Sequence, residues 1–143
     1  CVSPIDSKYA DEIEVLHPFL TPESEWKTFA YIQQLLLETR RDFGQATDND
    51  VSFMLDAVKQ FDPLNASLLE KDKRIKHDQL AVIEEIGRHL PPEVKSLLQP
   101  GTTSYDVVDT ARAYLFRRAW HEVIRPQVAA QLLILFAGLR SDI

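Results

Sequence analysis

The chain is predicted to be all-α, and three observations carry that prediction. Apolar side chains recur at helical spacing in several stretches, helix-entrance residues stand where those stretches begin, and neither an Asn-Gly hairpin nor sustained strand alternation competes with them. The first entrance is Thr21-Pro22-Glu23: a capping hydroxyl, a proline at the first helical position and acids that favour the positive end of the helix dipole. Trp26, Phe29, Ala30, Gln33, Leu36 and Leu37 continue at helical spacing as far as Arg41, and Gly44 supplies the stop. Thr47 and Asp50 have capping-box spacing and open a shorter helix through Phe53, Met54, Ala57, Val58 and Phe61, ending at Asp62-Pro63. Leu64 to Arg74 has weaker periodicity, with room for a short helix.

His77 to Leu90 is predicted helical, Leu80, Ala81, Ile83, Glu84 and Gly87 sampling adjoining faces, and Pro91-Pro92 ends it. After the Pro100-Gly101 turn, Thr103 can cap a helix that Asp106 answers from its third position. That last helix is predicted to run from Ser104 to about Ser141, bent or interrupted at Pro126, which lacks a backbone donor and clashes with the preceding turn. From Val128 to Leu139 it is apolar almost all round, whereas a surface helix of a small monomer keeps a broad polar face. Further chain or other subunits are expected to cover it; packing within the 143 residues is the plainer alternative.

With 45% hydrophobic and 27% charged residues, the chain can bury a sizeable core. Its 16 basic against 22 acidic side chains, a net charge of −6, suit a nucleic-acid surface poorly, and Lys71, Lys73, Arg74 and Lys76 are interrupted by Asp72 and followed by Asp78. No nucleic-acid partner is expected; that cluster reads as a solvated segment or a contact for one small anion. Cys1 is the single cysteine, which excludes an internal disulfide and a thiolate metal cluster. His17, His77, His89 and His121 have no i,i+4 pairing, and His121-Glu122 lacks the second histidine of a zinc motif, so no metal is expected. The longest apolar run contains Gln131 and is shorter than a bilayer span, and the start has no signal-peptide pattern. A cytoplasmic chain without a membrane partner is the expectation.

The candidate chemistry lies in His77-Asp78 and in the run from Gly101 to Ala111. An imidazole can exchange a proton or donate to an oxyanion, and amides at a helix start near Thr103, with the hydroxyls of Thr102, Thr103 and Ser104, can hold a carboxylate or phosphate. Each signal alone has a plainer reading, a structural histidine and an ordinary helix cap, and spacing does not say whether the segments meet.

Together they resemble the fumarase/aspartase superfamily, and within it the adenylosuccinate lyases. Ser3-Pro4-Ile5-Asp6-Ser7-Lys8-Tyr9 resembles that family's N-terminal nucleotide-binding strip, Lys76-His77-Asp78 its histidine-aspartate segment, and Gly101 through Ala111 its first substrate-binding region. The resemblance implies an N-terminal helical domain, residues 1–102, leading into the start of a long central helical bundle, residues 103–143, expected to be truncated. It also implies a homotetramer whose active sites take segments from three subunits. The activity it implies is β-elimination of fumarate from adenylosuccinate, leaving AMP, and from the related succinylated purine intermediate, without metal or organic cofactor. Lys8 and Tyr9 would contact the nucleotide phosphate, Lys8 standing where the family usually has arginine and so lacking its bidentate geometry. His77 would act at the phosphate and the catalytic centre, and Thr103 and Ser104 would bind the succinyl or fumarate carboxylate. Asp78 would orient its neighbour or cap the following helix, and Asp106 and Asp109 would be structural.

The sequence departs from the family at Ile75, where a threonine is usual, and at Asp72, where a glutamate is usual, which leaves open a related lyase acting on argininosuccinate or a carboxylated muconate-like acid. It also holds no Thr-His-Gly-Gln segment and no serine-rich loop of the kind that carries the family's second histidine and general base, so this chain alone is expected to be inactive. The alternative is a non-catalytic helical interaction module that keeps the scaffold.

Overall fold

The computed structural model describes residues 9–72, 75–98 and 100–141, and across them the protein is all-α, built of several packed helices. In chain order these are α1 (Ala10–Ile13), a 3-10 turn (Glu14–Leu16), α2 (His17–Leu20), α3 (Pro22–Asp42), α4 (Asp48–Lys59), α5 (Pro63–Glu70), α6 (Asp78–Gly87), α7 (Pro92–Lys95), α8 (Ser104–Ala119), a π turn (Trp120–Ile124) and α9 (Arg125–Ser141). They fall into two compact units: Pro22–Arg112, and Cys1–Thr21 with Ala113–Ile143.

Within Pro22–Arg112 the core is contributed by every long helix. Phe29, Ile32 and Leu37 of α3 join Val51 and Met54 of α4, Ala66 of α5, Val82 and Ile86 of α6, Val94 of α7, and Val107 and Ala111 of α8. α3 packs against α4, α5 and α6, and α5 lies along α6. The predicted capping box at the start of α4 is present: the Asp50 amide donates to Thr47 Oγ1 at 3.2 Å and the Thr47 amide to Asp50 Oδ2 at 2.8 Å. Gly44 ends α3 at φ +71, the left-handed region that side chains with a Cβ resist. Because the cap satisfies two otherwise orphaned donors, Thr47→Ala is expected to cost about 1 kcal/mol, read as a lower urea midpoint.

Two elements take a form the sequence left open, and one ends earlier than expected. The short helix between Leu64 and Arg74 is α5, entered through Asp62, whose Oδ1 accepts from the Leu64 amide at 2.8 Å. α6 ends at Gly87 rather than Leu90, and the single turn α7 follows. At Gly87 the Lys95 side chain crosses so closely that an added Cβ would lie 2.6 Å from Lys95 Cδ. The expected disturbance at Pro126 takes the form of the π turn Trp120–Ile124, whose wider winding meets the missing proline donor.

In the other unit, Phe19, Leu115 and Ala119 are buried. The Arg118 guanidinium lies 5.1 Å from the centre of the Phe19 ring and 5.8 Å from that of Tyr114 on its own helix, while Nε donates to Glu122 Oε1 at 2.7 Å. That hydrogen bond holds the Glu122 carboxyl below its usual range. α9 is left bare: Leu133, Ile134, Leu135, Phe136 and Leu139 are 63% to 70% exposed. The described chain therefore does not cover this helix itself. By length and composition alone, the continuous helix Ser104–Leu139 is also apolar enough to cross a membrane, which the run of apolar residues by itself did not indicate.

Candidate functional site

Two segments 27 positions apart meet at one contact: His77 Nε2 lies 2.8 Å from Ser104 Oγ. Each is placed by a helix start. Lys76 precedes α6 at φ +42, a left-handed conformation that costs a residue with a Cβ about 1 kcal/mol, and His77 follows in extended geometry. His77 is itself the N-cap of α6, its Nδ1 accepting from the Leu80 amide at 3.3 Å. The cap role considered for Asp78 thus falls to its neighbour. Asp78 Oδ1 accepts from the Gln79 amide at 2.6 Å and stands 3.5 Å from His77 Nδ1. Imidazole is an unusual cap, which is why sequence pattern pointed to the carboxylate.

Ser104 opens α8, and the Thr103 amide donates to Asp106 Oδ2 at 2.9 Å while the Asp106 amide donates to the Thr103 carbonyl at 3.1 Å. Asp106 has the structural part expected of it. Arg40 Nη2 donates to the Pro100 carbonyl, tying the turn before this helix to α3. Thr103 is therefore adjacent to the His77–Ser104 contact. Tyr9 is exposed, precedes α1 and belongs to the other compact unit. Lys8, the remainder of the strip from Ser3, and Lys73 and Arg74 of the basic cluster lie outside the described residues.

An open cavity of about 560 Å³ in the same unit is lined by Leu80, Ile83, Glu84, Pro92, Lys95, Ser96 and Pro100, and neither His77 nor Ser104 is part of its lining. Leu80 is the residue His77 caps, and Pro100 precedes the turn that delivers Ser104. Lys95 Nζ pairs with Glu84 Oε2 at 2.8 Å across the cavity wall. A groove of about 630 Å³ elsewhere in this unit is lined by Trp26, Lys27, Phe61, Leu64 and their neighbours. Among the described residues no three His, Cys, Asp or Glu side chains are grouped to hold a metal ion.

No family model, curated protein or solved structure matches the chain. The site stands on its own geometry.

Two residues near His77 carry no sequence motif. Arg112, about two turns along α8 from Ser104, pairs with Glu25 at 2.5 Å. The hydrogen bond to Glu25, then that carboxylate's charge, hold its guanidinium above the usual pKa, and Asp109 and Asp78 add smaller contributions. Gln79, next but one to His77, is 3% exposed, and neither its Oε1 nor its Nε2 meets a protein partner. A buried amide without partners costs about 1–3 kcal/mol, so Gln79→Met, of similar length and apolar, is expected to raise stability by about 1 kcal/mol. Urea unfolding checks this: a higher midpoint at unchanged slope is the expected result, and a lower midpoint would mean that the amide is satisfied in the folded protein.

Proposed function

We propose that this chain belongs to a β-elimination lyase of the adenylosuccinate type, supplying the histidine-aspartate and first substrate-binding segments of its site. What supports the reading is the contact of His77 with Ser104, since it brings together two of the three segments that carry the resemblance. In the reaction a base takes the proton from the succinyl carbon next to a carboxylate, the freed electron pair forms the new double bond, and the bond to the purine nitrogen breaks. An acid protonates that nitrogen, and fumarate and AMP leave. Thr103 and Ser104 act as donors to substrate oxygens and His77 acts at the site through Ser104, with Lys8 and Tyr9 toward the nucleotide phosphate, and no metal or organic cofactor takes part. The second histidine and the serine loop come from segments this sequence does not contain.

The finer architecture belongs to the same proposal: an N-terminal helical domain, residues 1–102, feeding a central bundle that begins at residue 103 and assembles as a cytoplasmic homotetramer. The bare α9 supports it, because burying each leucine or phenylalanine there is worth about 2 kcal/mol. Replacing Leu133 and Phe136 together by aspartate is expected to convert an assembled protein into smaller species in sedimentation velocity. An unchanged sedimentation coefficient would mean that α9 does not form the interface.

The second reading, a helical interaction module, is favoured by the same bare helix. The two part at His77: a module binds its partner equally well after His77→Ala, whereas the lyase loses turnover of adenylosuccinate, followed as fumarate formed by the native gene product.

A further inference from the structure

We infer that His77 is locked by its own helix cap as the Nε2–H tautomer, so that it donates to Ser104 and turns the Ser104 hydroxyl hydrogen toward a third group. The Leu80 amide hydrogen is aimed at Nδ1, with 3.3 Å between the nitrogens, so that ring atom must present its lone pair. A neutral imidazole carries one ring hydrogen, which leaves it on Nε2. Ser104 Oγ, 2.8 Å from Nε2, therefore accepts. A hydroxyl has a single hydrogen of its own, and having accepted from His77 it is left to donate elsewhere.

The competing arrangement places hydrogen on Nδ1, facing Asp78, and lets Ser104 donate to a bare Nε2, which is how a histidine activates a serine nucleophile. The cap opposes it in two ways. Hydrogen on Nδ1 would confront the Leu80 amide hydrogen and orphan that donor at the start of α6. Asp78 Oδ1, at 3.5 Å, is already engaged at 2.6 Å by the Gln79 amide. The serine and histidine beside Asp78 thus form a donor pair rather than a nucleophile and its base. The assignment rests on the cap and goes beyond the lyase reading, so either can fail without the other.

Long-range proton–nitrogen NMR on the full chain with labelled histidine, at about pH 8.5 where an ordinary imidazole of pKa about 6.5 is neutral, reads the ring directly. His77→Asn, which retains a capping side chain, identifies the His77 signals by their loss. The expected spectrum has a bare Nδ1 and a protonated Nε2, in the wild type and equally in Ser104→Ala, because the cap and not the serine sets the tautomer. Hydrogen on Nδ1, a pair of averaged ring nitrogens, or a switch of tautomer in Ser104→Ala would each overturn the assignment.

Discussion

On the lyase reading, replacing His77 by alanine is expected to lower kcat/KM for adenylosuccinate cleavage by the native gene product about 10²–10³-fold, the usual effect of losing one preorganised donor to developing negative charge, here the Ser104 hydroxyl that His77 orients. The same change removes the α6 cap and is expected to cost about 1 kcal/mol of stability, which by itself leaves a folded protein. His77→Asn separates the two effects. Asparagine caps as well as any residue but has no second ring nitrogen to reach Ser104, so stability is expected to recover while turnover stays low. Initial rates with fumarate as the readout, beside urea midpoints for both variants, check the pair. If turnover returned with asparagine, the loss in alanine would be a folding effect and His77 would have no part in the chemistry.

Leu37→Ala is expected to destabilise the protein by about 2–5 kcal/mol, a large share of the roughly 5–15 kcal/mol that holds an ordinary domain. Leu37 lies on α3, which touches α4, α5 and α6, and it is 1% exposed within the core that joins them. Truncation there loses the transfer energy of the deleted atoms and leaves a cavity walled by several helices, so little collapse can compensate. Thermal and urea unfolding of the two chains measure the difference. A loss below about 1 kcal/mol would mean that α3 is not the shared wall of this core.

Much of the helical layout was legible because its signals are local. Thr21-Pro22-Glu23, the reciprocal bonds of Thr47 and Asp50, and the answer of Asp106 to Thr103 each involve residues within one turn, where the sequence states both partners. The single turns at Ala10–Ile13, His17–Leu20 and Pro92–Lys95 are too short to show a periodicity, and their winding depends on neighbours distant in sequence. In the candidate site, the residue types were legible but their meeting was not. Nothing in the spacing of His77 and Ser104 reveals a 2.8 Å contact across 27 positions, and the left-handed turn that makes His77 the cap falls on Lys76, a residue type that does not mark such a conformation. Gln79 was invisible for the opposite reason: a polar side chain in the first turn of a helix gives no sign that packing will bury it without a partner.

The most direct measurement is the identity of the products formed when the native gene product is incubated with adenylosuccinate. β-Elimination predicts fumarate and AMP in equal amounts, with both lost in the His77→Ala protein. Aspartate and IMP instead would mean hydrolysis at the purine carbon, and an intact substrate in the presence of folded, assembled protein would contradict the lyase account altogether.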